Sequence, residues 1–107
     1  PDAESAAGLA ATANLLESLG HVVVEAGPLL DGEALGKAGL FTISANIAAQ
    51  LDEHGAARGH PVTEDEIEPV TAGMVRLGRT VPMMELAKAN NAFITAAIQY
   101  EHFLDAG

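Results

Sequence analysis

The sequence predicts a mostly α-helical chain of about four helices with one short strand. Three observations predict it. The apolar share is 49%, but only 4% of residues are aromatic and much of the rest is alanine, the best helix former. Apolar residues recur at spacings of three and four over several long stretches. A single β-branched run, His21-Val22-Val23-Val24-Glu25, interrupts that pattern and reads as a strand. Residues 1 to 107 form one unit, either a small domain or part of a larger one.

The first helix is expected over about 3 to 19. Leu9, Ala13, Leu16 and Leu19 are expected to form its buried edge, which Leu15 widens. Gly20 follows in the position where a left-handed residue commonly ends a helix. The strand comes next. Alone it leaves its N–H and C=O groups without partners, and no other stretch of the chain reads as a second strand. A sheet supplied from elsewhere is therefore expected.

Gly27-Pro28 marks a turn, and Asp31 is a natural N-cap. The second helix is expected over about 32 to 54, on a stripe of Leu40, Ile43, Ile47 and Leu51, with Gly55 as its stop. Gly36 and Gly39 weaken its first turns by roughly 1 kcal/mol each relative to alanine. They mark either a close approach or an irregular start.

Thr63 to Arg79 carries the densest local signals. Thr63 and Glu66 have capping-box spacing. Glu64, Asp65, Glu66 and Glu68 place negative charge where a helix macrodipole favours it. Pro69 cannot continue a helix but suits a first turn. One short turn over 64 to 67 is expected, then a helix opening at Glu68-Pro69 with Val70, Met74 and Leu77 on one stripe and Gly78 as its stop. The last helix is expected over about 82 to 104, with Leu86, Asn90, Phe93, Ala97, Tyr100 and Leu104 on one face.

Composition excludes several function classes. Five basic residues face fifteen acidic ones, a net charge of −10, so nucleic acid, which needs a basic footprint, is not an expected partner. No stretch approaches the ~20 apolar residues of a membrane span, and no membrane partner is expected. The opening PDAESAAG does not have the pattern of a secretory leader. The chain has no cysteine, which removes disulfides and thiolate metal sites and fits a cytoplasmic setting.

No stretch forms a complete chemical site. His21, His54, His60 and His102 are scattered, without the converging ligands that zinc requires. The acidic cluster at 64 to 68 does not follow the calcium-loop order, and capping accounts for it. There is no nucleophile elbow or glycine-rich phosphate loop. No metal or cofactor is expected. Phe41, Ser44 and Asn46 are the substrate-pocket candidates: a ring and two small polar groups close together in the second helix can line a pocket. They also fit ordinary helix packing.

Four stretches together resemble the amidase signature family, in the branch of broad amidases that includes 6-aminohexanoate-cyclic-dimer hydrolases. They are LLESLGHVVVEAGPLLDGEALGKA (15 to 38), SANIAAQLDEHGAARG (44 to 59), VTEDEIEPVTAGMVRLGRTV (62 to 81) and AAIQYEHFLDAG (96 to 107). LESLGH with its following strand, and TEDEIEP followed by the GR pair, are the most specific parts.

The resemblance implies a parent α/β fold with a mixed sheet and helices on both faces. It also implies a serine hydrolase that cleaves carboxylic amides through an acyl-enzyme with a Ser-Ser-Lys triad. The glycine- and serine-rich run that carries such a triad is absent here, so no catalytic residue can be assigned. Residues 1 to 107 correspond to the helical segment after that core, bordering the substrate entrance. The expected partner is a small-molecule amide, met through the core. Pro82 departs from the pattern, standing where a serine or threonine cap is expected. The reading from a different class is a non-enzymatic acidic helical module for protein interaction or dimerisation. A homo-oligomer is compatible with either reading.

Overall fold

Asp2 opens the first helix by accepting a hydrogen bond from the Ser5 N–H at 2.8 Å. The computed structural model describes residues 2 to 106; Pro1 and Gly107 lie outside the described residues. The chain runs α1 (Ala3–Ser18), α2 (Gly32–Arg58), a single 3-10 turn (Glu64–Glu66), α3 (Pro69–Thr80) and α4 (Met83–Asp105). The mostly helical class is as the sequence predicts.

The end of α1 is a Schellman closure. Gly20 has φ +91, its N–H reaches Glu17 O at 3.0 Å, and the His21 N–H reaches Leu16 O at 3.1 Å. Only glycine takes that backbone conformation without strain.

The predicted strand does not form. His21 to Leu30 has no regular structure, and there is no strand among the described residues. The physical reason is the one the sequence exposes. A strand needs a neighbour to accept its ladder bonds, and the described residues supply none. Val22 stays 89% and Val24 73% exposed.

Helix α2 is about 40 Å long at the standard rise and organises the body. It packs along α3 and along α4, which lie on it as two antiparallel neighbours joined by Val81-Pro82. Its inward positions are small: Ala38, Ser44, Ala48 and Gly55 are buried. Ala72 and Val75 of α3 and Ala89 of α4 are the buried residues of the two packing partners, and Gly55 lies under the His60–Pro61 loop. Small side chains let helix backbones approach closely.

This corrects three sequence expectations. The Leu40–Ile43 part of the predicted stripe points largely to solvent, at 45% and 53% exposure, because the alanine stripe beside it packs more closely. On α4 the buried edge runs through Ala89, with Leu86, Ala92 and Ala96 half-buried, while Asn90, Phe93, Ala97, Tyr100 and Leu104, all of the predicted face but Leu86, are exposed. Neither Gly55 nor Gly78 stops a helix. Helix α2 continues to Arg58 and ends at Gly59, φ +84, and α3 continues to Thr80.

Both misplaced stops are close-approach glycines. A Cβ on Gly55 would lie 3.1 Å from the Pro61 Cα and 3.2 Å from the His60 carbonyl oxygen. A Cβ on Gly78 would overlap the Ser44 carbonyl group and fall 2.8 Å from the Ala45 nitrogen. Gly36 and Gly39 have open space around them, and α2 is regular from its start.

Helix α1 and the segment after it stand apart from this body. The buried edge expected of the first helix does not form: Leu9, Leu16 and Leu19 are exposed and no side chain of α1 is buried, because neither extensive helix pairing involves it. The radius of gyration is 20.3 Å, against about 13 Å for a globular chain of this length. The accessible surface is 8064 Å², against about 5,600 Å² for a globular protein of this mass. The difference, roughly 2,400 Å², is the size of one side of a large obligate interface.

Candidate functional site

Phe41 and Ser44 share a face of α2 and Asn46 does not. Phe41 is half-buried, Ser44 is fully buried and Asn46 is exposed. At 100° per residue Phe41 and Ser44 are roughly 60° apart, while Asn46 is turned roughly 140° from Phe41 and 160° from Ser44.

Phe41 does reach a concave surface. It walls an open cleft of about 150 Å³ between α2 and α4, with Lys37 and Ala38 on one side and Glu85, Lys88 and Ala89 on the other. The Lys37 ammonium lies 5.3 Å from the Phe41 ring centroid, within cation–π range. Glu85 draws both lysines together, at 2.7 Å to Lys88 and 3.4 Å to Lys37. These two ammonium groups, Lys88 first, hold its carboxyl below the usual carboxylate range.

Ser44 sits where α2 and α3 touch most closely. Its hydroxyl is buried and has no hydrogen-bond partner in the protein, and the same holds for Thr42 Oγ1. A nucleophilic serine needs an adjacent base and an oxyanion site. Ser44 has neither, so its burial is a packing fact. Its small size and its carbonyl accommodate Gly78.

The most ordered polar group lies at the other end of α2. The loop after Gly59 folds back and is clasped by Arg58. Its guanidinium donates to His60 O at 3.1 Å, to Pro61 O at 2.9 Å and to both Glu66 carboxylate oxygens at 2.8 and 2.6 Å. Glu66 closes the capping box by accepting from the Thr63 N–H at 2.7 Å and from its hydroxyl at 3.0 Å. Arg58 above all, then Thr63, holds the Glu66 carboxyl at a pKa of about 2. A bidentate arginine–carboxylate pair is a strong form of hydrogen bond.

The capping box was legible from Thr63 and Glu66; the Arg58 clasp was not. Its only sequence signal is one arginine set eight residues before a capping glutamate, across a loop with glycine and proline. The Pro82 departure has a simple outcome: Pro82 is itself the N-cap of α4, in extended geometry, without a side-chain cap bond.

Among the described residues no group of three histidine, aspartate or glutamate side chains could hold a metal ion. Among the same residues no helix is long and apolar enough to cross a membrane. Compared with protein families, with curated proteins and with solved structures, the chain matches none.

Proposed function

We propose that this chain is the helical, substrate-entrance segment of an amidase-signature hydrolase whose Ser-Ser-Lys centre lies on polypeptide outside residues 1 to 107. One observation carries the reading. The Val22–Val24 run, set immediately after the family-like LESLGH phrase, is solvent-exposed and unpaired. A β-branched run left open in this way is a liability that a finished protein covers. The mixed sheet expected of the parent fold supplies the missing edge.

In such an enzyme the chemistry belongs to the core. A serine oxygen attacks the amide carbonyl, the amine leaves with a proton, and water then releases the acid from the acyl-serine. The residues here contribute no reacting atom, and the chain alone is inactive. Their part is to border the entrance. Of the three candidates, Phe41 is the one that lines the α2–α4 cleft; Ser44 is packed against α3 and Asn46 faces away. The cysteine-free, acidic sequence suits a cytoplasmic enzyme.

The test is activity-based labelling. Lysate from the cells that make this sequence is treated with a fluorophosphonate, which reacts with activated serines, and the sequence is recovered with an antibody. Recovery of a labelled species, with label blocked by an excess of a small amide substrate, supports the reading. Recovery of unlabelled protein alone overturns it.

A further inference from the structure

The basic residues of this chain are all committed within the helical body. Lys37 and Lys88 pair with Glu85, Arg58 with Glu66, Arg76 with Glu64 and Arg79 with Asp52. The arm that precedes the body has none. Glu4, Glu17 and Glu25 carry its charge, with Asp2 and Asp31 at its two ends and no lysine or arginine before Lys37. None of these five is in an ion pair among the described residues.

The same arm exposes much apolar surface. Leu9, Leu19, Val22, Val24 and Leu29 are each more than two-thirds exposed. On α1 the leucines occupy one side, with Glu4 and Glu17 flanking them on either edge at 100° per residue. An apolar centre with a charged margin is the anatomy of a protein interface. The backbone of Val22–Val24 makes no hydrogen bond among the described residues and so offers free donors and acceptors of the kind used in strand addition.

The charge selects the occupant. A second copy would bring an arm with the same three glutamates, and Asp2 and Asp31 at its ends, against the first, and like-charge juxtaposition across an interface is costly. An anionic bilayer is opposed for the same reason. We infer that residues 3 to 30 are a docking arm for a basic-rimmed, apolar protein surface with an open sheet edge, and not for a second copy of this chain. The inference stands on area, backbone and charge, and holds whether or not the partner is a hydrolase core.

The probe is a fluorescent alternating lysine–valine peptide, titrated with the full chain and followed by anisotropy. Binding is expected, weakening as salt rises from ~0.05 to ~0.5 M because screening shortens the reach of the charges. The variant E4Q/E17Q/E25Q should weaken binding about tenfold, and V22S/V24S should abolish it. The variant E53Q/D65N/E68Q changes net charge equally but lies in the body, and should leave binding unchanged. The arm assignment is overturned if both charge variants weaken binding alike, or if the peptide does not bind. It is also overturned if a glutamate–valine peptide binds equally well, or if sedimentation shows the chain dimerising through the arm at low salt and neutral pH. Labelling of an active serine plays no part in these readouts, so this inference and the hydrolase reading fail separately.

Discussion

Gly78 of α3 lies against the backbone carbonyl of Ser44 in α2, so closely that a Cβ on Gly78 would overlap that carbonyl. This contact fixes how α3 seats on the longest helix. It gives Gly78 a role that its helix propensity hides.

Gly78→Ala should therefore destabilise the chain by about 1–3 kcal/mol, because backbone must move to admit the methyl group. Gly36→Ala, in the same body but with open space around it, should stabilise by about 0.5–1 kcal/mol through helix propensity. Urea unfolding followed by circular dichroism gives both. Equal effects of the two substitutions would contradict the close crossing.

Ser44→Ala should be neutral or stabilising by up to about 1 kcal/mol. It removes a buried hydroxyl that has no partner and so removes a desolvation cost. The same unfolding experiment tests it. A clear loss of stability would mean that the hydroxyl is bonded after all.

The Arg58–Glu66 clasp predicts a pH dependence of known sign. The Glu66 carboxyl is held at about 2, below its ordinary 4.5. Its contribution is complete above pH 4.5 and is lost as pH falls toward 2. The melting temperature should fall across that window, and Glu66→Gln should make the fall shallower while lowering stability at pH 7. Superimposable acid profiles for the two proteins would contradict the clasp.

Hydrogen exchange should divide the chain. Helix α1 has 16 residues and no buried side chain, and isolated helices of that length are marginal in water. Its amides should exchange with little protection, while those around Ala48 in α2 exchange slowest. Comparable protection in α1 and α2 would show that α1 packs against the body.

Much of the fold was legible because its signals are local. Asp31, Gly20, Thr63 with Glu66, and Pro69 each act within a few residues of themselves, and each marks a boundary or turn that the structure has. The errors came from long-range contacts. Gly55 and Gly78 carry the composition of a helix stop, and only the facing loop and the facing helix explain why they lie inside. Leu40 and Ile43 make a good stripe by hydrophobicity, but alanine packing against α3 and α4 decided the buried edge. The strand was misread for a related reason: Val22 to Val24 has strand composition, while strand formation depends on a neighbour. The candidate site was the least legible part. Phe41 and Ser44 share a face, but Ser44 is taken up by the contact with α3 and Asn46 lies on the far side, while the Arg58 clasp joins groups that only the loop brings together.

The most direct test of the account is the mass of the species that carries this sequence in the cells that make it, read by immunoblot with an antibody raised against the chain. The account predicts a band several times heavier than 11.0 kDa, with the arm covered by the rest of the same polypeptide. A sole band at 11.0 kDa would contradict the hydrolase assignment, because these residues hold no serine–lysine centre.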